Sequence, residues 1–167
     1  MTAVGLGPPL LTGPLFSAES ARGKRFCVDT STLIYLDRIG LLTLTCEVFS
    51  LATIPPVLTE FGRVVPQLRI LPVVTAGAST DDALLAVVCQ HQGVLLSEDG
   101  RLLRRAGRRG LCYYNSLMLI CGLCHRGALG CREGGAYMEK LLAHARYSDV
   151  VLEYGRQVFA AVCPLSH

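Results

Sequence analysis

The sequence predicts an α/β fold, a parallel sheet with helices on both faces. Three observations point there. Short, continuously apolar runs such as Phe26-Cys27-Val28 and Val94-Leu95-Leu96 have the length and content of buried parallel strands. Longer segments with helical spacing separate them. Helix-starting residues (Ser, Thr, Asp, Pro) stand at the junctions.

The elements follow in order. Residues 1–24 are rich in Gly, Pro and small side chains and hold no lasting period, so they read as a loose arm. Arg25 to Val28 forms the first strand, ending at Asp29, and Thr30-Ser31-Thr32 open a helix from Leu33 to Leu42. A second helix is expected near Cys46 to Leu51, then a very short strand, Ala52 to Ile54. Proline is tolerated in a first helical turn, so Pro56 to Val65 reads as a helix carrying Glu60. Leu68 to Val74 is read as a strand. Ser79-Thr80-Asp81-Asp82 supply a cap and negative charge for a helix that Gly93 stops. After the Val94 strand come Ser97-Glu98-Asp99, an Arg-rich helix from Arg101 to Arg109, a strand from Leu111 to Tyr114, and helices at Ser116–Arg126, Arg132–Ala145 and Asp149–Ala161. The expected organisation is one domain over 25–162, the arm before it and a short tail at 163–167. No repeat of 20 to 50 residues interrupts this.

Composition narrows the class. In 167 residues, 51% are hydrophobic and 17% charged, yet Gly, Pro or charge breaks every apolar run before membrane-spanning length, so no membrane association is expected. The apolar surplus predicts a full core and a surface that a partner or second copy covers. The net charge of +3 comes from 14 Arg and 2 Lys. Eight Cys occur in a chain long enough to build a core, without a basic start and continuous apolar stretch at its N-terminus; the expectation is a cytoplasmic protein with reduced thiols.

Of 13 acidic residues, Asp29 and Asp99 follow strands directly, and acids at the carboxyl ends of parallel strands face one crevice. Asp82 opens the helix before the Val94 strand, and Glu60 lies on the helix after the second strand. Several carboxylates held together repel one another unless a cation neutralises them. Oxygen-only ligands suit Mg²⁺ or Mn²⁺, whose usual chemistry in such sites is phosphodiester hydrolysis.

Val28-Asp29-Thr30-Ser31, Pro56-Val57-Leu58-Thr59-Glu60-Phe61, Asp82-Ala83-Leu84-Leu85-Ala86-Val87 and Leu95-Leu96-Ser97-Glu98-Asp99 stand in the order found in PIN domains. Over about Phe26 to Phe159 the chain resembles that family, most closely PIN proteins of the VapC-like toxin kind. The resemblance implies a Rossmann-like PIN fold and an endoribonuclease using Mg²⁺ or Mn²⁺, commonly a homodimer and neutralised by a small antitoxin. By position it implies Asp29, Glu60, Asp82 and Asp99 as metal-binding acids, with Ser31 and Ser97 as supporting hydroxyls. Asp81 rivals Asp82, since one residue along a helix turns a side chain by about 100°. No fifth acid follows the last strand; Asn115 can fill that place as a neutral ligand or orienter.

Arg101, Arg104, Arg105 and Arg108 share a helical face beside Asp99 and suit an RNA backbone, although a solvated face or a dock for an acidic partner fits the same pattern. Cys121-Gly122-Leu123-Cys124-His125 formally matches a haem-attachment motif and, with Cys131, half a zinc site. Core packing explains it more simply, and no haem is expected. An aspartyl-phosphate mechanism at Asp29 wants a nearby lysine and a second Asp two residues on, where Ser31 stands. A nucleotide-binding P-loop is absent. A PIN-like scaffold without turnover is the remaining alternative.

Overall fold

The computed structural model describes residues 11–165. These divide into two compact units, 23–116 and 11–22 with 117–165.

The larger unit is a five-stranded, wholly parallel sheet with its helices. In chain order its elements are β1 (Phe26–Val28), α2 (Thr30–Ile39), α3 (Leu42–Val48), β2 (Leu51–Thr53), α4 (Pro55–Phe61), β3 (Arg69–Ile70), α5 (Thr80–Gln90), β4 (Val94–Leu96), α6 (Gly100–Arg108) and β5 (Cys112–Tyr114), following α1 (Ala18–Ala21) in the smaller unit. The strand order is β3-β2-β1-β4-β5, with Phe26 opposite Leu51 on one side and Val94 on the other. The chain therefore moves outward from β1 in one direction, then returns and moves outward in the other. Right-handed crossovers put α2, α3 and α4 on one face of the sheet and α5 and α6 on the other. The α/β expectation holds.

β1, β2 and β4 are buried at every position, which explains their unbroken apolar runs. Thr53 is the polar exception, and its hydroxyl donates to the Val28 carbonyl at 2.7 Å. The outer strands differ. β3 comprises two exposed residues, shorter than the expected Leu68–Val74, because an edge strand pairs on one side only. Leu68 and Leu71, at its two ends, supply the buried side chains. The second helix begins four residues earlier than expected, at Leu42, where Leu42 and Thr45 turn inward. Gly93 sits where a Cβ would lie 2.8 Å from the Arg25 carbonyl oxygen, so the entry to β4 needs glycine.

The smaller unit holds α1, α7 (Ser116–His125, of which Ser116 belongs to the larger unit), α8 (Cys131–Leu142) and α9 (Asp149–Val162). Here the expectation of a loose arm is corrected for residues 11–22. Leu15 and Phe16 are buried, and a Cβ on Gly122 would lie 2.6 Å from Leu15 Cδ1, so the missing side chain makes the seat for Leu15. Arg126 holds the same segment by donating to the carbonyls of Pro14 and Leu15 at 2.9 and 3.3 Å. Residues 1–10 of the arm and 166–167 of the tail lie outside the described residues.

A second correction concerns the cysteines. Cys131 and Cys163 form a disulfide joining the start of α8 to the end of α9, so the expectation of eight reduced thiols fails at this pair. Cys121 and Cys124 are buried and free, and burial pushes the Cys121 thiol up to about 12. Such a thiol packs as a small hydrophobe. Among the described residues no helix is long and apolar enough to cross a membrane.

Candidate active site

The order in which the chain adds strands reverses between β1 and β4, and at such a switch point a crevice opens beyond the carboxyl ends of the strands. The helices run back against the strands, so the N-termini of α2, α5 and α6 meet there. Negative charge is favoured at helix N-termini. A cleft of about 200 Å³ occupies the place, lined by Asp29, Glu60, Asp81 and Asp99 together with Thr30 and Ser31.

Asp29 is the N-cap of α2 and is 8% exposed. Its Oδ1 accepts from Ser31 Oγ at 2.7 Å and from the Thr32 amide at 3.1 Å, and its Oδ2 accepts from the Ser97 hydroxyl. Burial nevertheless raises the Asp29 pKa above its ordinary 3.8, against the pull of the hydrogen bonds from Ser97, Ser31 and Thr32. Capping and cleft-lining thus coincide in one side chain. The same holds for Asp99, which caps α6 by accepting from the amides of Arg101 (2.8 Å) and Leu102 (3.4 Å), both at Oδ1. Glu60, on α4, accepts from Thr30 Oγ1 at 2.6 Å.

The first turn of α5 separates the two adjacent acids. Asp81 lines the cleft; its pKa is raised by partial burial, then by the charge of Asp99, with Arg105 opposing and Glu60 and Asp82 adding. Asp82, the residue expected there from the motif, is not on the cleft wall. It lies on the outer side of the helix in an ion pair with Arg105, and the hydrogen bonds from Arg105 and Ser79 lower its pKa. A turn of about 100° per residue is the physical reason.

Ser31 lines the cleft, whereas Ser97 is fully buried behind Asp29. Asn115 stands in the turn between β5 and α7, away from the cleft lining. On α6, Leu102 and Ala106 face inward and fix the rotation of the helix. Arg101, Arg104 and Arg108 are then exposed, while Arg105 is half-buried against Asp82. Gly100 lets Arg104 fold back toward the helix start, since a Cβ there would lie 3.2 Å from Arg104 Nη1.

One side chain that braces the site escaped the sequence reading. Glu98 accepts at Oε1 from Thr32 Oγ1 (3.2 Å) and from the Ser116 amide (2.7 Å) and hydroxyl. Its own amide donates to Ser31 Oγ at 3.3 Å, and the Asp99 amide donates to Ser97 Oγ at 3.0 Å. Two consecutive residues after β4, Ser97 and Glu98, therefore tie the Asp99 loop to the Asp29 loop. The partners lie 66 and 18 residues from Glu98, a pairing with no local signal.

The lining donors are all oxygen, which suits a hard divalent cation. Among the described residues, no three acidic, His or Cys side chains stand close enough together to hold one ion. Mg²⁺ keeps several of its waters and takes only one or two carboxylates directly, so carboxylates spaced around an open cleft fit it.

The structure of the PIN domain endonuclease Utp24 matches 56% of this chain and 85% of that one, at 17% sequence identity and a TM-score of 0.47. No protein-family model and no curated protein matches the sequence.

Proposed function

We propose that this protein is a divalent-metal-dependent endoribonuclease whose active site is the cleft between β1 and β4. The observation that carries the reading is the convergence of Asp29, Glu60, Asp81 and Asp99 on one cleft of about 200 Å³ at the switch point of a parallel sheet. Carboxylates with pKa values raised by burial and by one another are side chains that a cation would neutralise.

Asp29 and Asp81, with Glu60 and Asp99 beside them, would hold Mg²⁺ or Mn²⁺. When bound, the cation favours ionisation of the attacking water and offsets charge on the departing oxygen. Ser97, Ser31 and the Thr32 amide fix the Asp29 carboxylate in place, and Thr30 does the same for Glu60. Pre-positioned groups of this kind spare the site reorganisation as the reaction proceeds. The exposed Arg101, Arg104 and Arg108 are suited to phosphates of a single-stranded RNA beside Asp99. A toxin role with a small antitoxin, and a homodimer, belong to the same reading through the resemblance described above.

The test is calorimetric titration of Mn²⁺ into the purified chain and into Asp29→Asn. Binding by the first and its loss in the second are expected. Equal binding by both would remove Asp29 from the site.

A further inference from the structure

The four arginines of α6 are not equivalent. Leu102 and Ala106 are buried and fix the helix; Arg105, next to Ala106, is the one whose guanidinium is turned toward α5. There it meets Asp82, the second of two consecutive acids in the first turn of α5, whose amide is already capped by Ser79 Oγ at 3.2 Å. Asp81 faces the cleft and Asp82 does not.

We infer that Arg105 is a positioning residue for the metal site: held by Asp82, its guanidinium is fixed at the helix turn that carries Asp81 and sets how much negative charge the cleft presents. The inference rests on the function proposed above. Without Arg105, the positive charge at the turn that carries Asp81 disappears and the charge of Asp82 is no longer offset there; both changes favour a cation. Without Asp82, the Arg105 charge that acts on Asp81 is no longer offset, which disfavours a cation. Removing either half of one ion pair therefore changes metal affinity in opposite directions. A contact that served only to hold α5 against α6 would weaken binding in both variants.

The experiment measures Mn²⁺ affinity by calorimetry for the wild-type chain, Arg105→Gln, Arg105→Lys and Asp82→Asn, and melting of the same proteins and the double variant Arg105→Gln/Asp82→Asn in EDTA. Arg105→Gln is expected to bind Mn²⁺ severalfold more tightly, Asp82→Asn severalfold more weakly, and Arg105→Lys close to wild type. In EDTA the double variant is expected to melt no lower than the lower of the two single variants, as coupled partners do. Loss of Mn²⁺ binding in Asp82→Asn would make Asp82 itself a ligand and overturn the inference, as would unchanged or weaker binding in Arg105→Gln. Additive melting shifts would also overturn it. Absence of Mn²⁺ binding in the wild-type chain would instead defeat the proposed metal site, with the coupling in EDTA still deciding whether Arg105 and Asp82 are partners.

Discussion

The hydroxyl of Ser97 donates to Oδ2 of Asp29, joining residues 68 apart in sequence at the seam between β4 and β1. Both side chains are buried, so this bond holds a carboxylate that water scarcely reaches. Hydrogen bonds to charged groups contribute roughly 1.5–3 kcal/mol. Ser97→Ala is expected to lower stability by about that amount in denaturant unfolding at neutral pH, and Ser97→Thr, which keeps the hydroxyl, to recover most of it. Equal loss in both variants would show that volume rather than the hydroxyl matters.

The acids of the cleft set a pH dependence. Asp29 and Asp81 have folded-state pKa values raised above 3.8, so their contribution to stability is fully present below that value and is lost as pH rises through the folded pKa values. Asp82 has the opposite sign, contributing above 3.8 and losing its contribution as pH falls through its lowered pKa. In EDTA, melting temperature against pH should therefore fall less steeply above 3.8 for Asp29→Asn than for the wild-type chain. Mn²⁺ should stabilise the wild-type chain more as pH rises over the same window. A pH profile identical in Asp29→Asn would contradict the burial argument.

Arg101, Arg104 and Arg108 are exposed along one side of α6. For single strands each phosphate contact contributes about 0.7 to the slope of log K against log salt. Replacing all three by Gln is expected to reduce that slope by about 2, measured by fluorescence anisotropy with a labelled RNA. Folding should be unaffected. An unchanged slope would move the RNA path off α6.

The Cys131–Cys163 disulfide closes a loop with a sequence separation of 32. A cross-link of that span contributes roughly 3–4 kcal/mol by the chain-entropy estimate. Thiol titration of the denatured protein should count six free cysteines before reduction and eight after. Dithiothreitol should lower the melting temperature of the wild-type chain and leave Cys131→Ser/Cys163→Ser unchanged. Eight thiols before reduction would show the pair unbonded.

What was legible in the sequence follows from the range of the interactions. β1 and β4 are buried on both faces, so their apolar runs marked them, and the acids immediately after them were readable as a crevice. Gly93 and Ser79 announced the ends of α5 through local backbone chemistry. The choice between Asp81 and Asp82 was not readable, because it depends on the rotation of α5, and the Arg105 that pairs with Asp82 is 23 residues away. Glu98 was hidden for the same reason. Cysteine spacing alone does not determine disulfide pairing, and the burial of Leu15 depends on a glycine in α7.

The most direct test of the central claim is cleavage of a mixed single-stranded RNA by the purified chain with Mn²⁺ or Mg²⁺, beside EDTA and Asp29→Asn. Cutting that requires the metal and is lost in the variant is expected. Cutting that persists in EDTA or in Asp29→Asn, or no cutting with either metal, would contradict it.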